Sequence, residues 1–236
     1  ALVGSLKHVK GEYERDFARG PSSLKLPATA FLHLENLEEG LRTGRVTGTL
    51  VLYTTQESTT GNVGGRNVPL EYRPTAALAY TLEGSQVYDL ELKGLLSGDT
   101  ILFRPSARFK DNVFLMSPYR PGRIPVVFVH GTASSPARWA QMLNEILNDP
   151  ELRNHYQMWL FTYNTGNPVL HSAGILAQGL RNVVRELDPE GRDQALQKMV
   201  VIGHSQGGML TKLTSIDSGS RFWDQIFKVS IDQLDV

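Results

Sequence analysis

One stretch of the sequence decides the fold. It runs from Lys198 to Thr214 and reads KMVVIGHSQGGMLTKLT. The four apolar residues 199–202 predict a short buried strand, and the pentapeptide Gly203-His204-Ser205-Gln206-Gly207 follows at once. A helix is predicted next, with one apolar face made of Met209, Leu210, Leu213 and Ile216. A strand, a G-x-S-x-G pentapeptide and a helix together indicate a nucleophile elbow, a tight turn that presents a serine.

The residues around the serine fit such a turn. Small residues are needed beside it because the turn is tight, and Gly203, Gly207 and Gly208 supply them. The turn lifts the Ser205 hydroxyl above the sheet and directs the first amides of the helix towards a bound group. A bare G-x-S-x-G is weak evidence by itself, so the prediction of Ser205 as a nucleophile depends on the flanking strand and helix.

The composition narrows the classes of function. The chain has 236 residues, enough for one or two domains with a large core. Its 24 basic and 24 acidic residues balance and are interspersed, which argues against nucleic acid as a partner. Cysteine is absent, so disulfides and thiol chemistry are excluded. The six histidines show no metal-ligand spacing, and no cofactor or metal is expected. No apolar run reaches the length of a membrane span, which leaves room only for peripheral contact with a membrane.

The two ends of the sequence suggest part of a longer protein. The chain starts at Ala1 without a methionine, as it would after removal of a leader. It stops at Val236 without a closing element. We therefore expect further sequence at both ends.

The first half of the chain is predicted to be rich in β structure. Residues 1–29 carry mixed charge without a sustained period and are interpreted as an arm, with at most a short helix over 12–19. Residues 30–117 are interpreted as a small antiparallel β domain that packs on the rest, without a helix of more than two turns. Its strand and turn signals are residues 46–55, Gly64-Gly65 and residues 88–93. It holds no catalytic constellation, and its role is left open, with binding of a substrate or partner as one alternative.

The spacing of apolar residues changes after the Pro- and Gly-rich segment 117–123. Residues 118–236 then alternate strands with helices. The strands are predicted at 125–129, 156–161 and 199–202, and the helices after Ser135-Pro136, from about Ser172 and after the pentapeptide. Asp149-Pro150 and Asp188-Pro189 are predicted to stop the first two helices. Three strand–helix units in succession predict a parallel sheet that is covered by helices.

Three loops should meet at the carboxyl ends of these strands, where ligands bind on such sheets. They are residues 130–135, residues 163–168 and the elbow itself. An acyl-transfer site needs two amide donors for the oxyanion. The amide after the nucleophile, that of Gln206, supplies one, and the amide of Thr132 beside the small Gly131 is the simplest second donor. His130 and His204 are interpreted as supports of their turns and not as the general base.

Two segments carry a family resemblance. Residues 126–131 followed by Trp139, together with residues 203–208, resemble the α/β-hydrolase superfamily, in its lipase and esterase branch, which includes GPI inositol-deacylase-like bacterial hydrolases. The likeness covers roughly residues 123–219. It implies an α/β-hydrolase core behind the small β domain, with Ser205 as nucleophile and Thr132 and Gln206 as oxyanion residues. The supporting residues would be His130, Gly131, Gly203, His204 and Gly207. The likeness also favours the cell envelope or periplasm over the cytoplasm.

The sequence departs from the superfamily at the acid and the base. In that superfamily an Asp or Glu and then a His follow the serine. None of the residues 206–236 is a histidine, so we expect both groups beyond Val236. His155 should lie at the opposite end of the sheet, which leaves His171 as the one awkward alternative. Residues 221–236 resemble a helical lid or insertion.

The sequence therefore favours a serine hydrolase that cleaves carboxylic esters, lipid-like ones in particular, through an acyl-enzyme on Ser205. An amidase or an acyltransferase would use the same chemistry and differ in pocket and lid. A non-catalytic binding module that keeps the fold without the triad is the alternative from another class. An Asp and a later His beyond Val236 would favour the enzyme.

Overall fold

The computed structural model describes residues 2–7, 23–54, 59–82, 112–217 and 219–233. Its first half is a small antiparallel β region, in which β2 is the middle strand of the sheet β1-β2-β3 and β4 pairs with β5. The elements are β1 (Leu2–Lys7), β2 (Ser23–Glu35), α1 (Leu37–Thr43), β3 (Thr47–Thr54), β4 (Thr60–Val63), β5 (Arg66–Pro69) and α2 (Pro74–Leu82). Gly64 and Gly65 form the predicted hairpin turn, both at positive φ. The predicted strand at 88–93 and the helix at 12–19 lie outside the described residues.

Two expectations for this half were wrong. The segment interpreted as an arm contributes β1 and the start of β2, which pair with each other from Leu2↔Ala28 to Lys7↔Ser23. Pro27 obscured this pairing because proline is rare inside strands. An unpredicted helix of nine residues, α2, follows the hairpin. Pro74 stands at its first position and three alanines follow within five residues, a combination that favours a helix.

The second half is a mixed α/β structure. Its sheet has the strand order β6-β8-β7-β9, in which β7 is parallel to both β8 and β9, and β6 is antiparallel to β8. The strands are β6 (Val113–Leu115), β7 (Ile124–Val129), β8 (Tyr156–Phe161) and β9 (Val200–Gly203). The helices are α3 (Ala140–Asn148), α4 (Pro150–His155), α5 (Val169–Leu187), α6 (Gln206–Thr214) and α7 (Arg221–Ile226), with 3-10 turns at 136–139, 196–198 and 231–233. Parallel strands flanked by helices are compatible with the predicted α/β-hydrolase fold.

Both faces of this sheet are buried, which explains why its strands read as continuous apolar runs. Alternate residues of a strand point to opposite faces. Accordingly Val127 and Val129 of β7 pack in one core cluster with residues of α5 and α6. Val126 and Phe128 pack in the other with Leu143 of α3. The helices therefore hold β7 and β9 in place from both sides.

The helix boundaries agree with the sequence in most places. A 3-10 turn with Pro136 at its start precedes α3. Asp149 ends α3 and then caps α4, since its side chain accepts hydrogen bonds from the amides of Glu151 and Leu152 at 2.8 and 3.0 Å. The apolar face predicted for α6 is only half right. Its Leu210 is fully buried, but Met209 is 52% exposed and Ile216 lies beyond the end of the helix.

The two halves meet at the amino ends of the parallel strands. Helix α2 packs on α3, and Asn148 Nδ2 donates a hydrogen bond to Thr75 Oγ1 at 3.2 Å. The Arg153 guanidinium lies 4.1 Å from the centre of the Tyr72 ring. Asn148 and Arg153 precede β8, so this contact is at the edge of the sheet opposite the elbow. Among the described residues, no helix is long and apolar enough to span a bilayer.

Candidate active site

The turn that joins β9 to α6 is strained at Ser205. The His204 amide donates to the Val129 carbonyl at 3.0 Å and so extends the pairing of β9 with β7 past its last residue. The next residue, Ser205, has φ 55° and ψ −123°, and α6 begins immediately after it. A positive φ at a residue other than glycine costs roughly 1–3 kcal/mol and persists only where the surroundings enforce it. The structure thus gives this serine the conformation that a nucleophile elbow requires.

At two of the glycines around Ser205, close backbone contacts leave no room for a side chain. A Cβ atom on Gly203 would lie 2.3 Å from the Gly207 carbonyl oxygen. A Cβ atom on Gly207 would lie 2.3 Å from the Val129 oxygen and 2.5 Å from the His130 oxygen. At Gly208, by contrast, the nearest atom would be at an ordinary contact distance of 3.4 Å. The interpretation of Gly208 as a residue that must be small was therefore wrong.

The loop after β7, residues 130–135, passes directly against the serine, and we call it the β7 loop. A Cβ atom on Gly131 would lie 2.9 Å from Ser205 Cβ and 3.0 Å from the His204 oxygen. Because no side chain larger than hydrogen fits there, the backbone of this loop can approach the elbow closely. The structure thereby brings together Gly131 and Ser205, as the sequence predicted for two of the three loops.

The two histidines beside these turns lie against aromatic rings of the neighbouring segments. His130 is 2% exposed, its Nδ1 lies 3.1 Å from the Gly131 oxygen, and its ring stacks on Tyr163 at 4.6 Å. His204 is exposed to solvent, and its ring is nearly perpendicular to the Trp139 ring, with the ring centres 6.5 Å apart. The roles of His130 and His204 as supports of the loop and the elbow stay predictions.

A polar network joins the elbow to the other two loops. The buried Gln206 side chain accepts hydrogen bonds at Oε1 from Thr132 Oγ1 at 3.0 Å and from the Tyr163 hydroxyl at 3.2 Å. Its Nε2 donates to the Thr165 carbonyl at 3.5 Å. The Tyr163 hydroxyl also lies 2.8 Å from the His130 carbonyl oxygen. Residues 163–168, which we call the β8 loop, therefore connect the β7 loop with the start of α6.

The sequence did not single out Tyr163 and Thr165, although it named their loop. The available signal was a tyrosine and a threonine within four residues of the end of a buried strand, where a buried hydroxyl needs a partner. Both residues are buried, and burial raises the pKa of Tyr163 to about 12. Its hydroxyl therefore stays protonated, and remains a donor, over the pH range in which proteins usually work.

The amides of Thr132 and Gln206 are the two predicted oxyanion donors. Neither donates a hydrogen bond to an acceptor in the part of the chain that the structure describes. Gln206 is the first residue of α6, where the helix dipole adds partial positive charge. Two amides that have no acceptor among the described residues, on the segments next to a serine, can stabilise a developing negative oxygen.

The general base is not apparent among the described histidines. His155 ends α4 at the start of β8, with its Nδ1 2.8 Å from the Glu151 oxygen, at the edge of the sheet opposite Ser205. His171 is exposed in the first turn of α5. No described side chain forms a hydrogen bond with the Ser205 hydroxyl. Within the same residues, no group of three His, Cys, Asp or Glu side chains could hold a metal ion.

A known family matches the part of the chain that contains these segments. Residues 124–216 match the model of a family described as "Putative serine esterase (DUF676)". The matched segment runs from the first residue of β7 to just past α6, so it contains the β7 loop, the β8 loop and the elbow. The match supports a serine esterase or related serine hydrolase. No curated protein and no solved structure matches the chain significantly.

Proposed function

We propose that this protein is a serine hydrolase that cleaves carboxylic esters with an apolar acyl group through an acyl-enzyme on Ser205. The observation that carries the proposal is the strained serine at φ 55° in a turn packed against Gly131. A strained serine persists only where the surrounding structure enforces it, and such strain is common at active sites. The serine esterase family match over the same segment supports the same chemistry.

In the proposed reaction the Ser205 oxygen attacks the ester carbonyl and forms a tetrahedral intermediate. The amides of Thr132 and Gln206 donate hydrogen bonds to the oxyanion. The alcohol then leaves, and water hydrolyses the acyl-serine to release the acid and the free enzyme. The serine needs a base to accept its proton and an acid to orient that base, and we assign neither role to a described residue.

Apolar side chains beside the serine support an apolar acyl group. Met209 lies in the first turn of α6, which begins directly after Ser205, and it is 52% exposed. Trp139 lies next to His204. We extend the proposal to lipid-like esters, the substrates suggested by the resemblance to GPI inositol-deacylase-like hydrolases. The protein would then act in the cell envelope, in peripheral contact with a membrane.

The segment predicted as a lid is compatible with a substrate of this kind. It contains the short helix α7, whose Trp223 stacks on Phe227 at 4.1 Å and donates from Nε1 to the Val229 oxygen at 2.6 Å. Phe222 and Ile226 of α7 are 42% and 68% exposed. Exposed apolar side chains on a short helix suit contact with an apolar substrate or a lipid surface. The role of this segment as a lid stays a prediction.

A non-catalytic binding module is the second candidate, because no described residue bonds to the Ser205 hydroxyl. The two candidates differ in turnover. In the full-length protein, Ser205→Ala should abolish hydrolysis of nitrophenyl esters and leave the fold intact. Ser215→Ala, which removes another exposed serine at the end of α6, is the matched control and should keep full activity. A wild-type protein that binds esters without turnover would support the binding module instead.

A further inference from the structure

We propose that Tyr163 is a positioning residue whose hydroxyl holds the two oxyanion-bearing segments, the β7 loop and the start of α6, at a fixed separation. This inference deepens the proposed function and rests on it. Tyr163 would not touch the substrate. It would act through the backbone of one segment and through a side chain of the other.

The distances describe a bridge. The Tyr163 hydroxyl carries one proton and lies 2.8 Å from the His130 carbonyl oxygen and 3.2 Å from Gln206 Oε1. These acceptors belong to the β7 loop and to α6, so the donor is shared between the two segments that carry the proposed oxyanion amides. Thr132 Oγ1 donates to the same Gln206 oxygen at 3.0 Å, which ties the second oxyanion residue to the same point.

A second residue of the β8 loop makes the same connection. Thr165 Oγ1 accepts a hydrogen bond from the Ala133 amide at 3.3 Å, and its carbonyl accepts one from Gln206 Nε2 at 3.5 Å. Ala133 has φ 50°, a left-handed conformation that is unfavourable for alanine. Because the β7 loop is held in a strained conformation next to Thr132, we infer that its position is enforced by the β8 loop.

A fixed separation matters because an oxyanion hole works by preorganisation. Donors that are already aimed at the developing charge cost no reorganisation during the reaction. Thr132 is exposed on a loop, so its own packing does little to hold its amide. A displacement of about 1 Å in such a site can lower the rate on the order of a hundredfold.

The surroundings of Tyr163 permit a clean test. Its ring stacks on His130 at 4.6 Å and on Phe161 at 5.6 Å, and these contacts do not need the hydroxyl. Tyr163→Phe therefore keeps the packing and removes only the shared donor. Tyr119→Phe is the matched control, because it also removes a bonded hydroxyl, the one that donates to Asp193 Oδ2 at 2.5 Å, but away from the site.

The experiment compares both variants with wild type in the full-length protein. We expect Tyr163→Phe to lower kcat roughly 10- to 100-fold with little change in KM, and Tyr119→Phe to leave both unchanged. Affinity for a trifluoromethyl ketone, which forms a tetrahedral adduct with the serine, should fall by the same factor. Affinity for an uncleavable ether analogue of the ester should not change, because it has no oxyanion.

The outcomes separate this inference from the proposed function. If Ser205→Ala leaves ester turnover unchanged, the proposed function fails and the inference fails with it. If turnover depends on Ser205 but Tyr163→Phe has wild-type kcat, or loses ketone and ether affinity equally, the inference alone is overturned. Thr165→Val tests the same connection with the tyrosine intact. It should show the same loss of kcat at unchanged KM, and wild-type kcat in a folded variant would also count against the inference.

Discussion

Two neighbouring glycines of α6 provide a sharp test of how the elbow is packed. Alanine at Gly207 would place its Cβ atom 2.3 Å from the Val129 oxygen and 2.5 Å from the His130 oxygen. Alanine at Gly208 would meet nothing closer than 3.4 Å. Both residues lie in the first turn of the same helix, so the second variant is a matched control for the first.

The magnitude follows from the difference between the two sites. Replacing glycine by alanine in a helix stabilises it by up to about 1 kcal/mol, and this gain is common to both variants. At Gly207 it is opposed by overpacking, which typically costs about 1–3 kcal/mol. The clashing atoms are backbone carbonyls of β7 and its loop, which cannot rotate away as a side chain could. We therefore expect Gly207→Ala to be less stable than Gly208→Ala by about 1–3 kcal/mol, towards the upper end of that range.

Urea unfolding followed by circular dichroism measures this difference directly. Since about 1 kcal/mol shifts the melting temperature of a chain of this size by roughly 2–4 °C, thermal unfolding gives an independent estimate. The unfolding free energy of Gly208→Ala should be equal to or higher than that of wild type. Equal stability of the two variants would refute the argument that the elbow packs against the β7 carbonyls.

Two further predictions concern the β7 loop and the dependence of stability on pH. Thr132→Pro removes the proposed amide donor and should lower kcat on the order of a hundredfold or more; wild-type kcat in a folded variant would place the second donor elsewhere. At Asp193, burial raises the carboxyl pKa, but hydrogen bonds from the Tyr119 hydroxyl and from the amides of Gly122 and Ala195 outweigh it, so its pKa is lowered in the folded state. The stability from this carboxylate is present above the pKa of an unfolded Asp, about 4, and is lost as the pH falls through the lower folded value. Asp193→Asn should therefore lose less unfolding free energy between neutral and acidic pH than wild type does. An equal loss in the two proteins would contradict a stabilising role of the Asp193 carboxylate.

The parts of the fold that the sequence predicted are those with strong local signals. The apolar runs at β7 and β8 are continuous because both faces of the sheet are buried, and the pentapeptide with its flanking elements is local by nature. The pairing of β1 with β2 was missed because it depends on partners distant in sequence and includes Pro27. Helix α2 was missed because the strand signals around it set the expectation for the whole region.

In the candidate site, too, the sequence predicted the features with a local signal and missed those that depend on residues distant in the chain. Ser205, Thr132 and Gln206 follow from motif and loop position, and the structure places them on adjoining segments. The difference between Gly207 and Gly208 is not visible in the sequence, since it depends on which carbonyls lie nearby. The bridging contacts of Tyr163 and Thr165 are likewise tertiary. The two acceptors of the Tyr163 hydroxyl, for example, lie 33 and 43 residues away from it in the chain. Motif reasoning can point to a candidate nucleophile, but it cannot point to the residues that contact its surroundings through the tertiary structure.

The most direct measurement of the central claim is labelling of the full-length protein with a fluorophosphonate, followed by peptide mass spectrometry. Activated serines react with this probe, whereas ordinary exposed serines do not. We predict a single modified residue, Ser205, and no modification of the Ser205→Ala variant. Modification at another residue, or a folded and ester-binding protein that the probe leaves unmodified at Ser205, would contradict the account.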